Sequence, residues 1–178
     1  QFLLYNIQRI QPFLSTQAAQ VLVRSLVISR LDYCNSLLAG LPLNAIRQLQ
    51  MIQNAAARLV FNLTKFFHTT PLLLLNWLPV AACMRFKTLM LVYKAKIGPA
   101  PSYLSDLITP CTAPRCLRSS STARLVPPSL RMRGKYTSRL FSVLAPRWWN
   151  ELPLDVHTVQ SLTIFKRRLK TYLFLKHL

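Results

Sequence analysis

The chain has 178 residues, 52% of them hydrophobic, with 23 Lys+Arg against 4 Asp+Glu and a formal net charge of +19. That length allows one domain with a real core, or a domain plus an appendage, and the apolar share excludes an intrinsically disordered chain. A charge so one-sided repels itself unless a polyanion or an acidic surface screens it.

Helix signals fill the first hundred residues. Ser15 is an N-cap candidate for TQAAQVLVRSLVISRLDYCNSLLA, where Ala19, Leu22, Leu26, Tyr33 and Leu37 form a helical stripe. Gly40 and Pro42 end that helix. A second helix is expected from about Leu43 to Phe61. Ala45, Leu49, Ile52, Ala56 and Leu59 share one of its faces, and Arg47, Gln48, Gln53, Asn54 and Arg58 lie elsewhere. The short connection predicts an antiparallel helical hairpin.

A short helix is expected through Leu72–Leu78, and Pro79 opens another that runs to about Ile97 with Ala82, Phe86, Leu89, Tyr93 and Ile97 inward. Gly98 and its flanking prolines break it, and SYLSDLI (102–108) reads as a short helix. Residues 109–135 carry Pro, Ser, Thr and Arg with little periodicity, which predicts a linker with one short strand around Ala123–Val126. YTSRLFSVLAPRWWNELP (136–153) is aromatic-rich, and only one of Trp148 and Trp149 is expected to point fully into a core. SLTIFKRRLKTYLFLK (161–176) is a basic amphipathic helix with Leu162, Phe165, Leu169 and Tyr172 on its apolar side. The expected fold class is mainly α: a helical hairpin or bundle over 1–108, an extended basic segment over 109–135, and a C-terminal segment over 136–178 with its amphipathic helix.

The longest apolar run, LLLLNWLPVAACM (72–84), is broken by Asn76 and Pro79 and falls short of the roughly 20 residues a bilayer requires, so no membrane partner is expected. The N-terminus lacks a signal-peptide pattern and an initiator Met, which points to a piece of a longer, unsecreted nuclear or cytoplasmic protein. Cys111 and Cys116 have no second Cys/His pair nearby, so no metal site is expected.

Catalytic chemistry is scarce. Asp32, Asp106, Glu151 and Asp155 are the whole acidic inventory, and two-metal phosphoryl transfer needs clustered carboxylates. Glu151 and Asp155 straddle Pro153 and read as capping or salt-bridging acids beside Arg147, and Asp32 reads as an ion-pair or capping acid. No G-x-S-x-G or phosphate-cradling loop occurs, and His68 before Thr-Thr-Pro reads as a turn residue. No catalytic residue, metal or cofactor is assigned to this chain.

Cations suited to nucleic acid are plentiful. Arg131, Arg133, Lys135 and Arg139 surround a glycine and Tyr136, so cations there would meet phosphates while the phenol stacks on a base. Lys166, Arg167, Arg168 and Lys170 form a similar helical patch. For both, the plainer reading is a solvated basic surface.

The ordered set SRLDYCNSLLAGLP, LQMIQNAAARLV, HTTPLLLLNWLPV, MRFKTLMLVYKAKIGPAPSYLSDLI, LRSSS, FSVLAPRWWNELP and FKRRLKTYLF resembles one family across nearly the whole chain. It looks like the region after the polymerase domain in non-LTR retrotransposon (LINE-type) reverse transcriptases of the jockey-like and chicken-repeat-like kind. The resemblance implies that the parent polypeptide is an RNA-directed DNA polymerase whose Mg²⁺-binding Tyr-x-Asp-Asp motif lies upstream. It also implies that this chain supplies thumb-like helices that contact RNA or DNA template-primer and pack on that upstream domain. Arg24, Arg30, Arg47 and Arg58 would then be placed around a duplex. The chain departs from the family pattern at Asn76, where His more often precedes Trp-Leu-Pro. The competing readings are a protein-interaction module that meets an acidic surface, and a decayed remnant with no activity.

Overall fold

The computed structural model describes residues 2–33, 35–64, 70–98, 100–111, 124–128 and 139–177, with the side chains of 43, 70 and 71 excepted. The expected linker residues Arg131, Arg133, Lys135 and Tyr136, together with His68, lie outside them. The described residues are mainly helical, as the periodicity predicts, with one two-stranded sheet. The chain divides into two compact units, Gln1–Leu37 with Leu41–Cys83, and Leu38–Gly40 with Met84–Leu178.

In the first unit, α1 (Phe2–Ile10) runs into a 3-10 turn at Gln11–Phe13, and Ser15 then caps α2 (Thr16–Val23) by accepting a bond from the Ala18 amide at 3.2 Å. The helix continues as a π-helical segment, Arg24–Ile28, and as α3 (Ser29–Asp32). The expected stripe is overturned, because the buried positions recur every four residues and the helix ends before Tyr33 and Leu37. Ala19, Val23 and Val27 are buried, whereas Leu26, Tyr33 and Leu37 are exposed.

The helix also ends earlier than expected. Tyr33 is extended, and the Asn35 side-chain amide donates to the Asp32 carboxylate at 3.0 Å, at the start of a 3-10 turn (Asn35–Leu38). Asp and Asn offer the chain such local side-chain bonds in place of a continued helix.

Helix α4 (Leu43–Val60) buries Gln53, Ala56, Ala57 and Val60, a face turned by about one residue from the expected one. With Ile7, Val23, Val27, Leu72 and Leu75, its apolar members make the core of this unit. Gln53 is tolerated inside because it donates to the Leu78 carbonyl at 2.9 Å. Gln50 donates to both Gln53 and Asn54 at 2.9 Å, and its own oxygen accepts from the Val80 amide at 2.8 Å. One carboxamide relay thus caps the first orphan N–H of α6 (Val80–Ile97) from a helix thirty residues earlier.

Two helices end alike. After α4, Asn62 has φ +52°, with Leu63 donating to Arg58 O and Asn62 to Leu59 O. After α5 (Thr70–Leu74), Asn76 has φ +52°, with Trp77 donating to Leu72 O and Asn76 to Leu73 O. Both are Schellman turns, and Asn tolerates the left-handed backbone they need. The Asn at 76 thereby has a structural reason.

The second unit is built from the rest of α6 with α7 (Ser102–Ser105), β1 (Thr109–Pro110), β2 (Leu125–Val126), α8 (Phe141–Asn150), α9 (Leu154–His157) and α10 (Leu162–His177). The strands pair antiparallel, Thr109 opposite Val126. Asn150 grips the second strand, its Nδ2 donating to Leu125 O at 2.8 Å while its Oδ1 accepts from Leu125 N at 3.0 Å. Leu89, Val92, Leu144, Trp149, Phe165, Leu169 and Leu173 are among the buried residues, whereas Ile97 and Leu162, expected on the apolar faces, are exposed at the helix ends.

Both tryptophans are buried here, Trp149 more completely than Trp148. Adjacent helical residues point about 100° apart, so both can be covered when a helix is embedded on two sides. Trp149 sits against Phe165 and His157, with ring centroids 5.9 and 5.0 Å away, and Trp148 lies under the Arg85 guanidinium at 5.2 Å. Gly40, at φ +78°, sits in backbone that strains any other residue, and a Cβ there would press on the Arg139 Cγ and a Leu144 methyl, each 3.1 Å away.

Candidate nucleic-acid interface

In the first unit Asp32 is the single acidic residue, and Arg24, Arg30 and Arg47 project their guanidinium groups from exposed positions. Arg24 opens the π segment and Arg30 lies in α3. Arg47 and Arg58 are eleven residues apart on α4, which puts them on one side of the helix but about 16 Å apart along it. They cannot hold the same phosphate. Arg58 is half-buried and belongs to a different feature, a groove of about 1210 Å³ between α1 with its 3-10 turn and α4.

That groove is the feature the residue pattern did not reveal. Its polar lining is Gln8, Gln11, Gln48, Asn54, Asn62 and Arg58. Its floor includes Leu4, Ile52 and Leu59, which pack against the core, and the exposed Met51 stands among them. The signal was present as positions 48, 51, 52, 55, 58, 59 and 62, which recur at helical spacing. Reading α4 for its apolar face alone set Gln48 and Asn54 aside.

In the second unit the cations fall into two groups. Glu151 holds three of them: Arg85 at 3.3 Å, Lys176 at 3.2 Å and Arg147 at 3.8 Å. The expected pairing with Arg147 is therefore present, and two partners distant in sequence join it. Arg168, expected in the binding patch, donates to the Asp155 carbonyl at 2.5 Å and helps fix α9 beside α10. Arg139 lends its aliphatic stem to the packing at Gly40.

Lys166 and Arg167 remain as exposed cations on α10, with the half-buried Lys170 one turn on, and among the described residues none of the three has a carboxylate partner. Like charges at i and i+4 repel, so Lys166 and Lys170 weaken the helix they stand on.

Burial alters two further bases. The Lys96 ammonium lies 5.0 Å over the Trp149 ring, and desolvation lowers its pKa. His177 has its pKa lowered by desolvation first and then by the charges of Arg85 and Lys176, and its Nε2 is buried without a hydrogen-bond partner.

Among the described residues no group of His, Cys, Asp and Glu is placed to hold a metal ion, and no helix is long and apolar enough to cross a membrane. Cys83 donates to the Leu78 carbonyl at 3.3 Å, and Cys111 is exposed. Comparison with known proteins finds no match among family models, curated proteins or solved structures.

Proposed function

We propose that this chain is a non-catalytic nucleic-acid-binding region of a non-LTR retroelement RNA-directed DNA polymerase, working in the nucleus or cytoplasm. It would hold RNA, DNA or their hybrid through basic surfaces and pack on an upstream polymerase domain that supplies the Mg²⁺ chemistry. The observation that carries the reading is the set of cations left without carboxylates among the described residues: Arg24, Arg30 and Arg47 in one unit, Lys166, Arg167 and Lys170 in the other. Their mutual repulsion costs stability that a polyanion would recover. The ordered family resemblance adds the identity of the parent polypeptide.

The test is binding of the intact chain to an RNA–DNA hybrid across a salt series. Each neutralised phosphate contributes about −0.9 to the slope of log K against log salt on duplex DNA. A steep slope that flattens when Lys166, Arg167 and Lys170 are changed to Gln supports the reading. Salt-insensitive binding, or none, sinks it.

A second reading is favoured by one observation. Phe13, Leu37 and Tyr33 are exposed at 88%, 81% and 80%, an outlay of apolar surface that fits a protein partner. A protein-interaction module would bind an acidic protein surface in the same assay and ignore nucleic acid.

A further inference from the structure

The groove between α1 and α4 has a chemistry distinct from the basic surfaces, and we propose that it receives unpaired bases of a single-stranded nucleic acid and reads their edges with carboxamides. This rests on the nucleic-acid reading above.

The first argument is the polar complement. Five carboxamides and one guanidinium line the groove, and no carboxylate does. A carboxamide sets a donor and an acceptor side by side, the pattern that Asn and Gln use in bidentate pairing with adenine. Lysine-rich walls would hold phosphates without regard to base, whereas this groove has a single charge, Arg58, for the backbone.

The second argument is that one of these amides is set in place before any ligand arrives. Gln50 holds the Asn54 oxygen at 2.9 Å, which leaves the Asn54 Nδ2 hydrogens as its groups without a protein partner. The Schellman turn also fixes the backbone of Asn62 at the groove end. Such preorganisation lowers the entropy lost on binding.

The third argument is shape. The floor of Leu4, Ile52 and Leu59 is apolar, and Met51, 63% exposed, offers an adaptable thioether to a base face. About 1210 Å³ is somewhat more than the roughly 300–1,000 Å³ of small-molecule pockets, enough for more than one nucleoside but not for a duplex. An acidic helical peptide would fill a similar trough. The amides favour the base, because a helix has already satisfied its own backbone groups and would leave the carboxamides facing apolar side chains.

The experiment measures fluorescence anisotropy of the intact chain with labelled single-stranded oligoadenylate, oligouridylate and a hairpin duplex. It compares the wild type, a Gln8→Leu/Gln48→Leu variant, a Gln48→Glu variant and a Lys166→Gln/Arg167→Gln/Lys170→Gln variant. Gln8 and Gln48 are exposed, so the first two changes leave the core intact. The expected result is a several-fold preference for oligoadenylate in the wild type. The double Leu variant should lose that preference and about tenfold in single-strand affinity, with an unchanged salt slope and unchanged duplex binding. Gln48→Glu should weaken single-strand binding further. Single-strand binding that survives both groove changes overturns the inference while leaving the nucleic-acid reading intact. So does displacement of nothing by oligoadenylate from a groove that captures an acidic helical peptide. Absence of salt-dependent binding to any of the three ligands overturns both.

Discussion

The rings of Tyr93 and Phe165 lie 4.0 Å apart between centroids and within 16° of parallel, so a stacked pair joins α6 to α10. Phe165 is completely buried, and the Tyr93 hydroxyl donates to the Val159 carbonyl at 3.0 Å just before α10 begins. Burial raises the Tyr93 pKa.

Two substitutions separate these contributions. Phe165→Ala removes the ring and leaves a cavity, and should cost about 3–5 kcal/mol in the second unit. Tyr93→Phe keeps the stack and loses only the hydroxyl, which should cost about 1 kcal/mol, plus the desolvation of the stranded Val159 carbonyl. Denaturant unfolding of both variants, followed by Trp fluorescence, checks the difference. Equal costs would mean that the hydrogen bond, and not the stack, fastens α10.

At Asn76 the backbone is left-handed in a Schellman turn. Asn76→Gly should be neutral or stabilise slightly, whereas Asn76→Val should cost roughly 1–2 kcal/mol, because a β-branched side chain crowds the carbonyl in that conformation. Thermal unfolding of the pair reads the order directly. A Val variant as stable as the Gly variant would show that the turn does not form in solution.

Much of the helical plan was legible because it depends on local periodicity and punctuation. Ser15, Pro42, Pro79 and the break at Gly98 mark ends that the structure keeps or shifts by a few residues. What stayed hidden depends on contacts between distant positions or on departures from the 3.6-residue period. The buried stripe of Ala19, Val23 and Val27 recurs every four residues and bypasses Leu26, and the helix stops before Tyr33, which no composition signal announces. Gln53 reads as a surface residue until the Leu78 carbonyl comes within reach. Glu151 reads as a local partner of Arg147, yet two of its three cations lie 66 and 25 residues away. The candidate basic residues were legible only as a list. The structure assigns Arg168 to the Asp155 carbonyl and Arg58 to the groove wall, and leaves Lys166 and Arg167 facing solvent.

His177 supplies a pH dependence. Its lowered pKa means the folded chain binds the proton less readily than the unfolded chain does, so stability rises with pH through this window. Its contribution is fully present above the ordinary histidine pKa of about 6.5 and falls away as the pH drops from there toward the folded value. His177→Gln should flatten the change in melting temperature between neutral and mildly acidic pH relative to wild type. If the two curves run parallel, the buried imidazole is not the group that titrates.

Glu151 neutralises three cations at once, so its loss should be felt beyond a single surface pair. Glu151→Gln leaves Arg85, Arg147 and Lys176 facing one another and should cost on the order of 1 kcal/mol at low ionic strength, most of it recovered at high salt as repulsion is screened. Unfolding measured in low and high salt checks this. A salt-independent loss would assign the effect to packing.

The contrast between paired and unpaired cations yields the sharpest separation of structure from binding. Arg85, Arg147 and Lys176 have a carboxylate, and Lys166 and Lys170 repel each other at i and i+4 with none. Changing Lys166 and Lys170 to Gln should therefore raise stability by a few tenths of a kcal/mol, since the repulsion disappears and nothing paired is lost. The same change should weaken binding to a polyanion and reduce the salt slope by about two units if both contact phosphates. Arg85→Gln should do the reverse, lowering stability through Glu151 and Trp148 while leaving the slope as it was. Melting curves and a salt titration on the two variants, taken together, distinguish a surface kept for a ligand from one kept for the fold. If the double lysine change destabilises the chain and spares binding, α10 is a structural element and its cations are not the interface.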